Sequence, residues 1–105
     1  MKYTILITCA GGSLKSHEGF FLKNFSKYKK NISLVGLDLK PHKIKKNIFQ
    51  ARIKSPSPKK IIPYKKFMFS SIKKYQVNLV IPGSDEEAYV LSLYKKEFEK
   101  LGCVV

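Results

Sequence analysis

Hydrophobic residues fall along this chain in short runs separated by striped segments, and the alternation reads as strand, helix, strand. Tyr3-Thr4-Ile5-Leu6-Ile7-Thr8 is rich in β-branched residues and apolar on both faces, as a parallel strand covered on both sides is. It empties into Ala10-Gly11-Gly12-Ser13, where glycine permits a sharp turn and Ser13 can cap a following helix. Phe21, Phe25 and Tyr28 then recur at helical spacing, with Lys23, Lys27 and Lys30 largely off that stripe. Ile32 to Leu37 is a second strand ending on Asp38, and the helix between the two makes their pairing parallel. Pro41 breaks the chain. His42 to Gln50 reads as a short helix with Ile44, Ile48 and Phe49 inward, and Ser55-Pro56-Ser57-Pro58 as a loop. Lys59-Lys60-Ile61-Ile62 is at most a short strand ended by Pro63, followed by a helix from Tyr64 to Gln76 with Met68, Ile72 and Tyr75 on one stripe.

Val77 to Ile81 is the clearest buried strand after the first. It runs into Pro82-Gly83-Ser84-Asp85-Glu86-Glu87, where Ser84 and Glu87 have the spacing of a capping box. The helix opened there carries Ala88, Leu91, Tyr94, Phe98 and Leu101 near one face and closes at Gly102. Cys103-Val104-Val105 begins another strand. These elements predict an α/β, three-layer, Rossmann-like domain with a parallel sheet of four to five strands. The first strand is expected at its centre, between the second and the Val77 to Ile81 strand.

Composition narrows the class. With 105 residues, 44% of them apolar, the chain holds one domain with an ordinary core, and a multidomain enzyme is excluded within it. The net charge is +14, but of the 21 basic residues all except Arg52 are lysine. Readout of bases and forked phosphate contacts favour arginine, so the lysines read as a solvated surface rather than a nucleic-acid footprint. Between Lys23 and Lys74 the only acid is Asp38, whereas Asp85, Glu86, Glu87, Glu97 and Glu99 crowd the last quarter, giving a basic middle and an acidic end. No apolar run approaches the roughly 18 to 20 residues of a spanning helix, and the first ten residues lack a cleavage signal, so a cytoplasmic protein is expected. Cys9 and Cys103 sit in apolar runs and read as small buried hydrophobes rather than a disulfide.

The candidate chemistry lies at the ends of strands. Gly11, Gly12 and Ser13 form a glycine turn at a helix start, suited to a phosphate or carboxylate, or simply a tight turn. The dinucleotide fingerprint fails, because glycine would be needed at Cys9 and Leu14. Asp38 stands where a ribose-binding acid stands in such folds, or serves as a turn residue. His17-Glu18 lacks its second histidine at Phe21, so no metal site survives, and His42 has no role. Ser84, Asp85, Glu86 and Glu87 either cap their helix or recognise a cationic group or ribose hydroxyls. No nucleophile, base and orienter can be assembled.

Ile5-Leu6-Ile7-Thr8-Cys9-Ala10-Gly11-Gly12, Val35-Gly36-Leu37-Asp38 with Pro41, Ile62-Pro63-Tyr64, Asn78 to Glu87 and Leu101-Gly102-Cys103-Val104-Val105 follow one another in a telling order. That order resembles the N-terminal, pre-ATP-grasp domain of ATP-grasp ligases, notably the carbamoyl-phosphate-synthase-like branch. In that branch an Ala-Asp pair and an aromatic residue precede the third strand, where this chain has Ala51-Arg52 and the proline-rich loop. The resemblance implies a piece of a longer carboxylate–amine ligase, with Val105 near the linker to the ATP-grasp lobes. ATP and magnesium would be held by those lobes, and this chain alone would be inactive. It also implies that Gly11-Gly12 and Asp85 to Glu87 face a cleft for a small substrate, an amino acid or related carboxylate or amine. A free-standing Rossmann-like nucleotide-binding domain is the alternative, and a basic nucleic-acid-binding protein the third.

Overall fold

Strand β1, Tyr3–Ile7, lies in the interior of a four-stranded sheet with β2, Ile32–Asp38, on one side and β4, Leu79–Ile81, on the other. The computed structural model describes residues 3–10, 30–41 and 49–105. The sheet order is β3-β2-β1-β4, where β3 is Ala51–Lys54, and all three pairings are parallel. Ile5 stands opposite Leu34 and Leu79, and Leu6 opposite Val35 and Val80, so the expected central position of the first strand holds. Val104 adds an isolated parallel bridge to Leu79 where a further strand is expected at Cys103 to Val105.

Helix α1, Ile61–Tyr75, joins β3 to β4 and reverses the direction of travel across the sheet. It is followed after β4 by α2, Asp85–Leu93, and α3, Lys95–Glu99. One face of the sheet presents Leu6, Val35, Leu37 and Val80 to Tyr64, Met68 and Ile72 of α1, Val90 and Leu91 of α2 and Phe98 of α3. The other face presents Ile5, Ile7, Ile32, Leu34 and Ile81, packed with Ala10 and Phe49, and Ile7 and Leu34 are buried there. Both faces are covered, which is why the strands read as continuous apolar runs and why the protein is a three-layer, Rossmann-like α/β fold. Among the described residues no helix is long and apolar enough to cross a membrane.

Three local expectations need correction. The third strand is Ala51–Lys54, not Lys59 to Ile62. It is an edge strand, with Arg52 and Lys54 exposed and Ala51 and Ile53 turned inward, so only two of its four residues carry an apolar signal. Ile61-Ile62-Pro63 instead forms the first turn of α1, where a proline loses no intrahelical hydrogen bond. The helix expected to run unbroken from Ser84 to Leu101 divides at Tyr94, which carries φ −117° and caps both parts. The helix expected at His42 to Gln50 lies mostly outside the described residues, and Phe49 and Gln50 are not helical. The stripe of Phe21, Phe25 and Tyr28 also lies outside them.

Candidate functional site

In a parallel sheet all strands end on the same edge, and where the strand order reverses the loops part and leave a crevice. Here the reversal falls at β1, and a cleft of about 340 Å³ opens at that edge, a size suited to a small molecule. Each strand end contributes to it. Cys9 follows β1, Asp38 and Leu39 close β2, Ser55, Ser57, Pro58 and Lys59 follow β3, and Ser84, Glu86 and Glu87 follow β4. Among the described lining residues Lys59 is the sole base, against three carboxylates.

The strand ends are fastened by the backbone. Thr8 N–H donates to the Ile81 carbonyl at 3.1 Å and Ala10 N–H to the Leu37 carbonyl at 2.9 Å, so the chain leaving β1 is held between both neighbours. Cys9, between them, takes a left-handed φ of 51°, a conformation a side chain adopts at a cost. Asp38 Oδ1 accepts from Lys40 N–H at 2.8 Å, and the Asp38 carbonyl accepts from Ser55 N–H at 3.0 Å, tying the loop after β3 to the end of β2.

The capping box expected at Ser84 forms, in a modified version. Ser84 Oγ accepts from Glu87 N–H at 3.3 Å and donates to Glu87 Oε1 at 3.0 Å. The other carboxylate oxygen, Oε2, accepts from the Tyr64 hydroxyl at 2.6 Å. Tyr64 is fully buried and Glu87 only 6% exposed, whereas Asp85 and Glu86 in the same first turn are exposed. Burial, and then the charge of Glu87 and the hydrogen bond to it, push the Tyr64 hydroxyl well above the usual tyrosine range. Tyr64 therefore stays a protonated donor that ties α1 to the start of α2. Thr8 Oγ1 accepts from Gly83 N–H at 2.9 Å.

Of the residues singled out from the sequence, the cleft brings together Asp38, Ser84, Glu86 and Glu87. Asp85 is exposed and is not among the lining residues. Gly11, Gly12 and Ser13 lie outside the described residues, as do His17, Glu18 and His42. Cys9, Ser55, Ser57 and Lys59 were not foreseen. The loop from Ser55 to Pro58 is marked in the sequence by its prolines, but it points to a site only once Ala51–Lys54 is known to be a strand of the same sheet. Both cysteines are thiols; Cys103 is buried as expected, while Cys9 is half-buried at the cleft. Among the described residues no group of three histidines, cysteines or acids could hold a metal ion. No protein-family model matches the chain, and no curated protein matches it.

Proposed function

We propose that this chain is the N-terminal, substrate-side domain of an ATP-grasp carboxylate–amine ligase of the carbamoyl-phosphate-synthase-like kind, working in the cytoplasm. The observation that carries this reading is the cleft itself, which gathers Asp38, Ser84, Glu86 and Glu87 at the carboxyl edge of a Rossmann-ordered sheet. A carboxylate set of that kind suits the amine partner of such a reaction. It fits ATP phosphates poorly, since three acids meet a single lysine among the described lining residues. Nucleotide and magnesium accordingly belong to other lobes of the ligase, and this domain supplies a wall of the substrate cleft.

Asp38 favours one second reading. At the end of β2 in this strand order it can accept from ribose hydroxyls, as a free-standing nucleotide-binding domain would require. Calorimetric titration of the purified chain with NAD and with magnesium–ATP, alongside a phosphate-release assay, separates the two. The ligase-domain reading expects no saturable heat from either nucleotide and no phosphate release. Saturable binding of NAD or ATP, or magnesium-dependent hydrolysis by the chain alone, would overturn it.

A further inference from the structure

We propose that the corner of the molecule formed by the ends of β2 and β3 and the start of α1 is a docking surface for an anionic phospholipid bilayer. It is built from Leu39, Lys40, Lys54, Lys59, Lys60 and Ile62, all of them exposed. The backbone draws these segments together. Asp38 Oδ1 accepts from Lys40 N–H, the Asp38 carbonyl accepts from Ser55 N–H, and Lys54 stands in register with Asp38. Ser57 accepts from Lys59 N–H on its Oγ at 3.2 Å and from Lys60 N–H on its carbonyl at 3.1 Å, and Leu39 and Lys59 both line the cleft. Four lysines and two large apolar side chains therefore share one end of the fold. This inference is independent of the ligase reading.

The charge at this corner is not offset. From Leu39 to Ser84 the sequence holds no acid, and among the described residues it is Lys65, not one of these four, that pairs with a carboxylate. Lys59 borders the acidic cleft without forming an ion pair there. Helix formation does not account for the lysines either. Lys59 and Lys60 precede α1, at the end where the helix dipole opposes a cation, and the first turn of α1 holds no acid. Among them stand Leu39 and Ile62, 50% and 53% exposed. An apolar side chain gains nothing from a phosphate ridge of nucleic acid, but it gains by entering the boundary between headgroups and acyl chains. Lysine, a compact and strongly hydrated point charge, answers the diffuse field of an anionic leaflet, whereas nucleic-acid and protein interfaces draw on arginine. Lysine at all four charged places, beside two apolar anchors, matches a membrane surface.

Co-sedimentation of the 105-residue chain with lipid vesicles tests this, each variant being compared below its melting transition. Vesicles of three parts phosphatidylcholine to one part phosphatidylglycerol are expected to carry the chain down, and pure phosphatidylcholine to leave it in solution, with binding falling as salt rises. Lys59→Ala together with Lys60→Ala should weaken binding roughly twentyfold, about fivefold for each lysine. Lys73→Ala together with Lys74→Ala removes the same charge from the other end of α1, about 20 Å away, and should weaken it about threefold or less. Ile62→Ser should abolish the binding that survives high salt. Absence of binding to the mixed vesicles would overturn the proposal. Equal losses in the two lysine pairs would overturn it too, by making the attraction one of net charge alone. Unchanged binding in Ile62→Ser, with a DNA duplex displacing the chain from the vesicles, would assign the corner to nucleic acid instead.

Discussion

Single residues in this protein show how local chemistry sets what a position can do. Gly102 ends the last helix with φ +81°, and a side chain there would meet nothing within 4 Å. The cost of Gly102→Ala therefore comes from the backbone alone, and thermal or urea unfolding should show a loss of about 1 kcal/mol. An unchanged stability would mean that the chain end relaxes out of the left-handed region. Burial shapes the two titrating groups in a related way. Cys103, 1% exposed, is pushed up to about 11 by desolvation, and Tyr64 is held above its ordinary range by burial and Glu87. In both, the neutral form is the one the folded state prefers, so their contribution is complete below the unfolded values and is lost as pH rises through the folded ones. Stability measured by denaturant should fall from about pH 9 towards about pH 11, and the Cys103 thiol should alkylate more slowly than that of Cys9 in the native protein. A flat alkaline profile would contradict the burial of these groups.

At the scale of elements, the joint between α2 and α3 is pinned from α1. Lys65 lies 4.1 Å from the centroid of the Tyr94 ring and 2.8 Å from Glu97 Oε2, while Phe69 stacks on Phe98 at 4.7 Å. Glu97 is half exposed, so its ion pair is screened, and Glu97→Gln should cost about 0.5 kcal/mol or less. Lys65→Ala removes the cation over the ring and the buried stem as well, and should cost about 1 kcal/mol. Equal losses in the two variants would place the ion pair, not the ring contact, at the joint. Periodicity made Leu91 and Phe98 legible as core residues. The break at Tyr94 was not legible, because no proline or glycine marks it. Likewise β3 is hard to read because an edge strand of four residues shows a side chain to the core only twice, and the first turn of α1 is obscured because Ile61-Ile62 looks like a strand when Pro63 follows. Strands buried on both faces, β1 and β2, declared themselves fully.

For the whole molecule, topology decides what becomes a site. Asp38 and the Ser84 to Glu87 run could be singled out one at a time, as a strand end and a capping box, but their convergence depends on the order β3-β2-β1-β4. The Tyr64 to Glu87 bond joins positions 23 residues apart, through the packing of α1 beside α2, and no local pattern announces it. The resulting cleft is acidic among its described lining residues although the chain carries a net charge of +14, so it gathers acids on an otherwise strongly basic sequence. The most direct measurement of the amine reading of this cleft is the affinity of the chain for ethanolamine, followed by amide shift mapping, in wild type beside Glu86→Gln. If the cleft reads an amine, the variant should lose roughly tenfold in affinity while its stability changes by about 1 kcal/mol or less, since Glu86 is exposed and adds little beyond its favourable place at a helix start. Unchanged affinity in Glu86→Gln, and then in Asp38→Asn and Glu87→Gln, would contradict it.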